Sequence, residues 1–290
     1  MANGRLQTGG PRRKRLISIS VTLGLHGQSP GRAAHARSQA DETSTIPGFQ
    51  HSGPGGGLIV RRPGYKPIIV MKTTISRLAV FDLDGTLVDS RHDLAAAANA
   101  ARAALGLPMW PVESVVRCIG EGAQNLIKGV TPEATPEQRD VAMAAFKAHY
   151  AAHCCDATPV YDGVVELIDQ LTAVGWRLAV LTNKPDGFSR TILAHHGLAQ
   201  RFLAITGGDR FRKPDPRGLN ELITAAETTP AQAWMIGDHH TDIQVGRAAG
   251  CRTLFAAWGF GRLEGQVPHA TATDPTAAGN VLLDGPWPAI

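Results

Sequence analysis

From Leu78 onward the chain alternates short, wholly apolar runs with longer segments whose apolar residues recur every three or four positions. The run Leu78-Ala79-Val80-Phe81 shows no polar alternation and ends in a polar turn, the pattern of a parallel strand buried on both faces. Comparable runs follow at Leu178–Leu181, Phe202–Ile205, Ala233–Ile236 and Thr253–Ala256. Helical periodicity occupies Val164–Val174, Phe188–His196, Leu219–Glu227 and Asp242–Ala249. Strands alternating with helices of this length predict βαβ units, and hence an α/β fold with an open parallel, Rossmann-like sheet and helices on both faces.

One interval breaks that rhythm. Residues 89–159 carry helical patterns and no strand: Asp93–Leu105, Val112–Ile119, Ala123–Lys128 and Glu137–His153. Ser90 with Asp93 reads as an N-cap opening the first of these, and Gly106 and Pro108 close it. The pattern predicts a small all-helical domain inserted after the first strand. The sheet domain would then comprise residues 71–88 and 160–290, with the two parts meeting near Val88 and Pro159–Gly163.

Charge divides the chain at a different place. Residues 1–70 hold ten of the 29 Lys and Arg residues but only two of the 25 Asp and Glu residues, a balance of +8 against −4 for the remainder. This leader also contains 12 Gly and 6 Pro and no sustained apolar period, so it is not expected to pack a core. Three readings of it stand side by side. It can be a targeting segment, with Arg12-Arg13-Lys14-Arg15 before the apolar stretch Leu16–Leu25 and a small-residue Ala34-His35-Ala36 site. It can be a solvated basic arm, or a start placed upstream of a protein that begins at Met71. No run of 18 apolar residues is present, so no membrane span is expected. Four cysteines in 290 residues make no disulfide scaffold and suit a cytoplasmic location.

Ligands of open α/β sheets bind outside the carboxyl ends of the strands, so the polar residues after each apolar run carry the candidate chemistry. Asp82 and Asp84 follow the first strand, and in extended geometry they point the same way. Thr182 and Asn183 follow the second strand, Lys213 lies beyond the third, and Asp238 and Asp242 come after the fourth. Crowded carboxylates repel unless a cation separates them, and Asp82, Asp84 and Asp238 together make the oxygen-rich site that Mg²⁺ prefers. Lys213 and the Thr182 hydroxyl would then serve an anionic substrate, most simply a phosphate ester. Gly85 and Gly237 would let the backbone approach closely where a Cβ would intrude.

Four strings together resemble a known family. Phe81-Asp82-Leu83-Asp84-Gly85-Thr86-Leu87-Val88-Asp89-Ser90, Leu181-Thr182-Asn183-Lys184, Arg212-Lys213-Pro214-Asp215-Pro216 and Gly237-Asp238-His239-His240-Thr241-Asp242 are similar, in order, to the four motifs of the haloacid dehalogenase-like hydrolases. The resemblance implies that Asp82 is a nucleophile forming an aspartyl-phosphate and that Asp84 is the general acid and base. It implies Mg²⁺ held by Asp82, the Asp84 backbone carbonyl and Asp238, with Asp242 in support. It gives the phosphoryl oxygens to Thr182, the Asn183 backbone and Lys213, and makes the helical insertion a cap. Within the superfamily, Cys118-Ile119-Gly120-Glu121-Gly122-Ala123-Gln124-Asn125-Leu126-Ile127 and Gly207-Gly208-Asp209 are similar to phosphoglycolate phosphatases.

The expected substrate is a small phosphorylated metabolite, 2-phosphoglycolate first, with sugar phosphates and pyrophosphate behind it. A phosphosugar mutase would use the same residues, and a non-enzymatic anion-binding scaffold would rest on the basic leader. The folded part is not expected to bind nucleic acid, and the protein is expected to be a monomer or homodimer. His239 stands where the family often has Ser. The adjacent pairs His195-His196 and His239-His240 lack metal-ligand spacing on a helix and are expected to be solvated or capping. Asp242 could merely cap a helix, and Asn183 merely form a turn before a helix begun by Pro185. Buried thiols are expected at the four cysteines, and core or interface positions at Trp110, Trp176, Trp234 and Trp258.

Overall fold

The computed structural model of the protein describes residues 76–284 and Trp287, together with the backbone of three short strands nearer the N-terminus. These strands, β1 (Phe49–Gln50), β2 (Leu58–Val60) and β3 (Ile68–Val70), pair antiparallel in that order. They belong to a different unit of the chain from residues 73–290, which carry everything that follows. The targeting readings of the leader lie outside the described residues.

The main sheet contains β4 (Leu78–Phe81), β5 (Arg177–Leu181), β6 (Ala204–Thr206), β7 (Ala233–Gly237), β8 (Arg252–Ala256) and β9 (Ala270–Ala272). All pairings are parallel, in the order β6-β5-β4-β7-β8-β9. The first strand of the sheet is thus flanked by β5 on one side and β7 on the other. This is the doubly wound order in which strand direction of travel reverses, and the crevice at the reversal is the expected ligand site.

Alternation within each buried strand builds two cores. Ala79 and Phe81 face one side with Leu178, Val180 and Ile236, against α5 (Val164–Ala173), α6 (Asp186–His195) and α9 (Pro275–Leu283). Leu78 and Val80 face the other with Leu181 and Met235, against α7 (Arg217–Ala225) and α8 (His240–Ala248). Burial on both faces is why the strands read as unbroken apolar runs. Trp234 and Trp176 are buried, while Trp110 and Trp258 are partly buried against the first core. Among the described residues no helix is long and apolar enough to cross a membrane.

Between β4 and α5 the chain forms α1 (Arg91–Ala104), α2 (Val112–Val116), α3 (Ala123–Val130) and α4 (Pro136–His153). Helix α1 packs along α4 through Ala95, Ala98 and Ala101 against Ala142 and Phe146. Arg102 is buried beneath the loop that follows α1. It donates to the carbonyls of Pro108 (2.6 Å) and Val130 and lies 4.4 Å from the Trp110 ring centroid, tying loop and helix α3 to α1. The chain leaves and rejoins the sheet at one place. The Asp89 N–H donates to Pro159 O (2.9 Å), the Tyr161 N–H to Leu87 O (3.1 Å), and Val88 bridges Val160.

At this junction the structure corrects one expectation. Ser90 occupies the N-cap position of α1 but makes no capping bond, and its hydroxyl instead donates to Asp84 Oδ1 (2.6 Å). Asp93 turns across the junction, where its carboxylate accepts from the Ala157 N–H (3.0 and 2.9 Å) and the Thr158 hydroxyl (2.6 Å). A carboxylate that accepts from the returning chain, including the buried Thr158 hydroxyl, outweighs a cap on an already packed helix. Smaller differences concern ends: β6 begins at Ala204 rather than Phe202, and α2 stops at Val116. The final pair β9 and α9 was not expected.

Asp93→Ala should therefore loosen the junction. Leaving the buried Thr158 hydroxyl without a partner costs about 1–3 kcal/mol, which at roughly 2–4 °C per kcal/mol lowers Tm by about 2–12 °C in thermal unfolding. An unchanged Tm would remove Asp93 from this role.

Candidate active site

The ends of β4, β5 and β7 deliver the polar groups of the crevice, joined by Lys213 from the loop after β6. The Asp82 N–H extends the ladder by donating to Ile236 O (2.8 Å), fixing the side chain at the strand's end. Asp82 Oδ1 accepts from the Leu83 N–H (2.7 Å) and lies 2.9 Å from Lys213 Nζ. Lys213 Nζ also donates to Asp242 Oδ1 (2.7 Å). Asp238, at the end of β7, accepts at Oδ2 from the backbone N–H groups of Phe260 (3.0 Å) and Gly261 (2.7 Å), and at Oδ1 from Thr86 Oγ1 (3.4 Å). Asp82, Asp238 and Asp242 are buried and present carboxylate oxygens within 4.8 Å of one another.

Two glycines make this crowding sterically feasible. Gly85 has φ +81°, and a Cβ there would lie 2.0 Å from Asp238 Oδ2; one on Gly237 would lie 2.1 Å from Asp242 Oδ2. What these glycines make room for is the carboxylates themselves. Asp242 does cap, since its Oδ2 accepts from the His239 N–H (3.0 Å) in a reciprocal box at the start of α8. The other oxygen holds Lys213, so it serves both purposes.

The electrostatics follow from three buried carboxylates of which two, Asp82 and Asp242, share one ammonium. Burial pushes the Asp82 carboxyl up to about 6, with Lys213 opposing and Asp242 and Asp84 reinforcing the shift. Burial, then Asp82 and Asp242, push Asp238 well above the usual carboxylate range despite its two backbone donors. Burial alone would lower Lys213, but Asp242 and Asp82 carry it above its ordinary value. The cluster is therefore short of positive charge, and its donors are all oxygen. A hard divalent cation such as Mg²⁺ fits that deficit.

Asp84 is managed separately. Its carboxylate accepts from Ser90 Oγ and from Lys184 Nζ (2.8 and 2.9 Å), and Lys184 is itself buried 4.7 Å from the Tyr150 ring centroid on α4. Lys184 stands inside the second motif string yet had no role in the reading of the sequence. Its signal was available: it is the only cation adjoining Thr182 and Asn183 at the end of β5. Thr182 Oγ1 accepts from the Lys184 N–H (3.3 Å). Asn183 does more than turn the chain. Its Oδ1 accepts from the Lys213 N–H (2.8 Å), while Nδ2 donates to Gly120 O of the insertion (3.0 Å) and to Lys213 O (3.3 Å). Helix α6 begins at Asp186, with Pro185 as its N-cap residue.

His239 caps α8, as one of the two expectations for it held, but neither it nor His240 is solvated: both are buried. Burial, then His240 and Lys213, lower the His239 imidazole to about 4, so it is neutral at pH 7. Its ring fills the space beside Gly120, where a Cβ would sit 2.4 Å from Nε2. His240 meets Glu121 of the insertion at 3.6 Å and Glu264 at 3.3 Å. Cys154 and Cys251 are buried and Cys118 and Cys155 partly so, all as free thiols.

A single chamber results, with Asp82, Asp84, Thr182, Asn183, Lys184 and Asp238 on the sheet side. The insertion forms its roof through the start of α3 and through Phe146, Lys147 and Tyr150 of α4.

Comparison with known proteins bears on this arrangement. The profile of the family described as haloacid dehalogenase-like hydrolase matches residues 79–256. The chain belongs to that family. Among its relatives, the phosphoglycolate phosphatase of Aquifex aeolicus (strain VF5) is 33% identical over 202 residues, covering 69% of this chain and 93% of that protein. The phosphoglycolate phosphatase of Vibrio cholerae serotype O1 is 36% identical over 193 residues, 63% of this chain and 85% of that one. The crystal structure of a predicted phosphoglycolate phosphatase from Haemophilus somnus 129PT superposes with a TM-score of 0.67 at 29% identity, covering 72% of this chain and 98% of the other.

For a haloacid dehalogenase-like hydrolase with this charge deficit, removing one carboxylate should stabilise the metal-free protein. Between about pH 4 and 6 the folded state holds more protons than the unfolded state, because Asp82 is raised to about 6 and Asp238 is raised as well. Stability then falls as pH rises through that window. In EDTA, Asp238→Asn, whose amide oxygen can still accept from Phe260 and Gly261, should exceed the wild-type Tm by more at pH 7.5 than at pH 5. A pH-independent difference would count against the deficit.

Proposed function

We propose that this hydrolase is a Mg²⁺-dependent phosphatase acting on a small phosphate monoester, 2-phosphoglycolate first, through an aspartyl-phosphate on Asp82. The observation that carries the reading is the Asp82–Lys213–Asp242 contact beside Asp238: a buried carboxylate nucleophile, an ammonium for the phosphoryl oxygens, and carboxylates in excess of cations. The relatives named phosphoglycolate phosphatase support the choice of substrate.

Asp82 Oδ attacks phosphorus, and the bond from phosphorus to the ester oxygen breaks. Asp84, two residues along and directed into the same chamber, gives its proton to the departing alkoxide. It then takes a proton from the water that attacks the aspartyl-phosphate, which releases inorganic phosphate and regenerates Asp82. Thr182 Oγ1, the Asn183 backbone and Lys213 hold the phosphoryl oxygens as negative charge shifts among them. The residues that would hold Mg²⁺ are Asp82, the Asp84 carbonyl and Asp238, and the ion supplies charge that screens an anionic nucleophile from an anionic phosphoryl group. Asp242 supports that set, one oxygen holding Lys213 and the other capping α8.

The helical insertion acts as a cap in this reading. Asn183 and the histidine pair hold its Gly120–Gly122 turn against the sheet, which keeps bulk water from the aspartyl-phosphate. Free thiols at Cys154 and Cys155, 3.8 Å apart, suit a reducing compartment such as the cytoplasm.

Asp82→Asn should reduce phosphate release by about 10³-fold or more while the Tm holds or rises. Wild-type turnover in that variant would overturn the nucleophile. Phosphate release should depend on Mg²⁺ and favour 2-phosphoglycolate in a panel with sugar phosphates, nucleotides and pyrophosphate. Preference for another ester would keep the mechanism and replace the substrate, and activity appearing only with a bisphosphate primer would favour a mutase.

A further inference from the structure

Where the insertion comes down to the sheet, the residues lining the chamber include Gly120 and Gly122 of the insertion and Gly261 after β8. None of these offers a side chain to close a gap. A Cβ on Gly261 would lie 2.4 Å from the Asp238 carbonyl oxygen, and one on Gly120 would lie 2.4 Å from His239 Nε2. Gly120 also has φ +122°, a backbone conformation that favours glycine. The edge of the chamber between Asp238 and the insertion therefore has to be filled by a neighbouring side chain or left open.

The imidazole of His239 fills it. The residue is 8% exposed and lines the chamber, yet no step of the proposed phosphoryl transfer uses its ring. The ring is held from several directions. Nδ1 lies 3.1 Å from Thr241 Oγ1 and accepts from the Thr241 N–H (3.5 Å), which ties that edge to the start of α8. The buried His240 ring lies alongside, with centroids 4.1 Å apart. The edge bearing Nε2 abuts Gly120, whose carbonyl is in turn held by Asn183 Nδ2 (3.0 Å). A ring packed in this way does not yield to a larger ligand, because close-packed interiors transmit strain rather than absorb it.

We infer that His239 is a specificity-determining residue, whose ring limits the size of the leaving group by occupying the chamber's edge between Asp238 and Gly120. The inference rests on the phosphatase reading and adds to it the residue that excludes bulkier esters. A short, unbranched leaving group passes beside the ring. A hexose needs the space that the imidazole holds, and the imidazole can withdraw only by giving up Thr241 or by displacing the Gly120 turn. Exclusion by shape is effective on this scale, since a single misfitted methylene in a close pocket changes kcat/KM by about 10- to 200-fold.

The test is the ratio of kcat/KM for 2-phosphoglycolate to that for a hexose phosphate, measured with Mg²⁺ in wild type, His239→Ser and His239→Phe. Serine removes the ring but keeps an oxygen that can cap α8, whereas phenylalanine keeps a ring and removes the capping nitrogen. The ratio should fall by about tenfold or more in His239→Ser, through a gain on the hexose phosphate, and should persist in His239→Phe. A ring that acted only by capping α8 would give the reverse order, with the ratio following Tm. A wild type that cleaves the hexose phosphate as well as 2-phosphoglycolate would overturn the size limit. So would an unchanged ratio in His239→Ser, a ratio that falls only by loss on 2-phosphoglycolate, or an equal fall in both variants. In each of these cases, phosphate release that needs Mg²⁺ and is lost in Asp82→Asn leaves the phosphatase reading standing; if wild type cleaves no ester, both fall together.

Discussion

The arrangement turns on one electrostatic imbalance: three buried carboxylates, Asp82, Asp238 and Asp242, lie within 4.8 Å of one another, and the ammonium of Lys213 pairs with only the first and last of them. Isolated charges are expensive to bury, and a cluster with excess negative charge is tolerated only where rigid structure holds it. The parallel sheet supplies that rigidity. The Asp82 backbone is pinned to the neighbouring strand, Asp242 sits in the first turn of α8, and Asp238 is held by two N–H groups from the segment after β8. Gly85 and Gly237 are dictated by the same crowding, because a Cβ at either would overlap a carboxylate. Energy spent in holding the charges together would be recovered on binding a divalent cation, which is how a preorganised site differs from a merely strained one.

The second constraint is that the insertion meets the sheet through polar contacts as well as packing. Asn183 shows how. One amide orients the Lys213 backbone through its oxygen and reaches the insertion's Gly120 carbonyl through its nitrogen. Lys184 likewise joins the Asp84 carboxylate below to the Tyr150 ring above. Residues at the end of β5 therefore connect the sheet side of the chamber to its roof. His239, where the family often has Ser, adds a buried neutral ring that fills the gap beside Gly120. It makes a larger contact with the roof than a hydroxymethyl group could.

Much of this was legible in the sequence because burial on both faces leaves a simple mark. The runs at Leu78, Leu178 and Ala233 are unbroken and apolar, and the polar residues directly after them are those the structure brings into one crevice. Strand β9 was illegible because Ala270-Thr271-Ala272 is short and lacks bulky residues, so it forms only because β8 offers an open edge. Helix α9 did leave a signal, Asp274 capping a helix with Pro275 in its first turn, but the preceding strand was needed to give it meaning. Ser90 misled for a physical reason. A hydroxyl before a helix can cap it or turn back to a carboxylate six residues earlier, and only the fold reveals that Asp84 is within reach.

Charge also orders the chamber from floor to roof. At the floor, carboxylates exceed ammoniums, which suits a divalent cation but would repel an anionic substrate arriving alone. The middle is balanced by the Lys184–Asp84 pair. The rim has Lys147 without an acidic partner among the described residues. An anion approaching from solvent therefore meets positive charge first and the carboxylate-rich floor last, with apolar walls between that weaken dielectric screening. That gradient follows from the positions of a few residues on α4, β4 and β5.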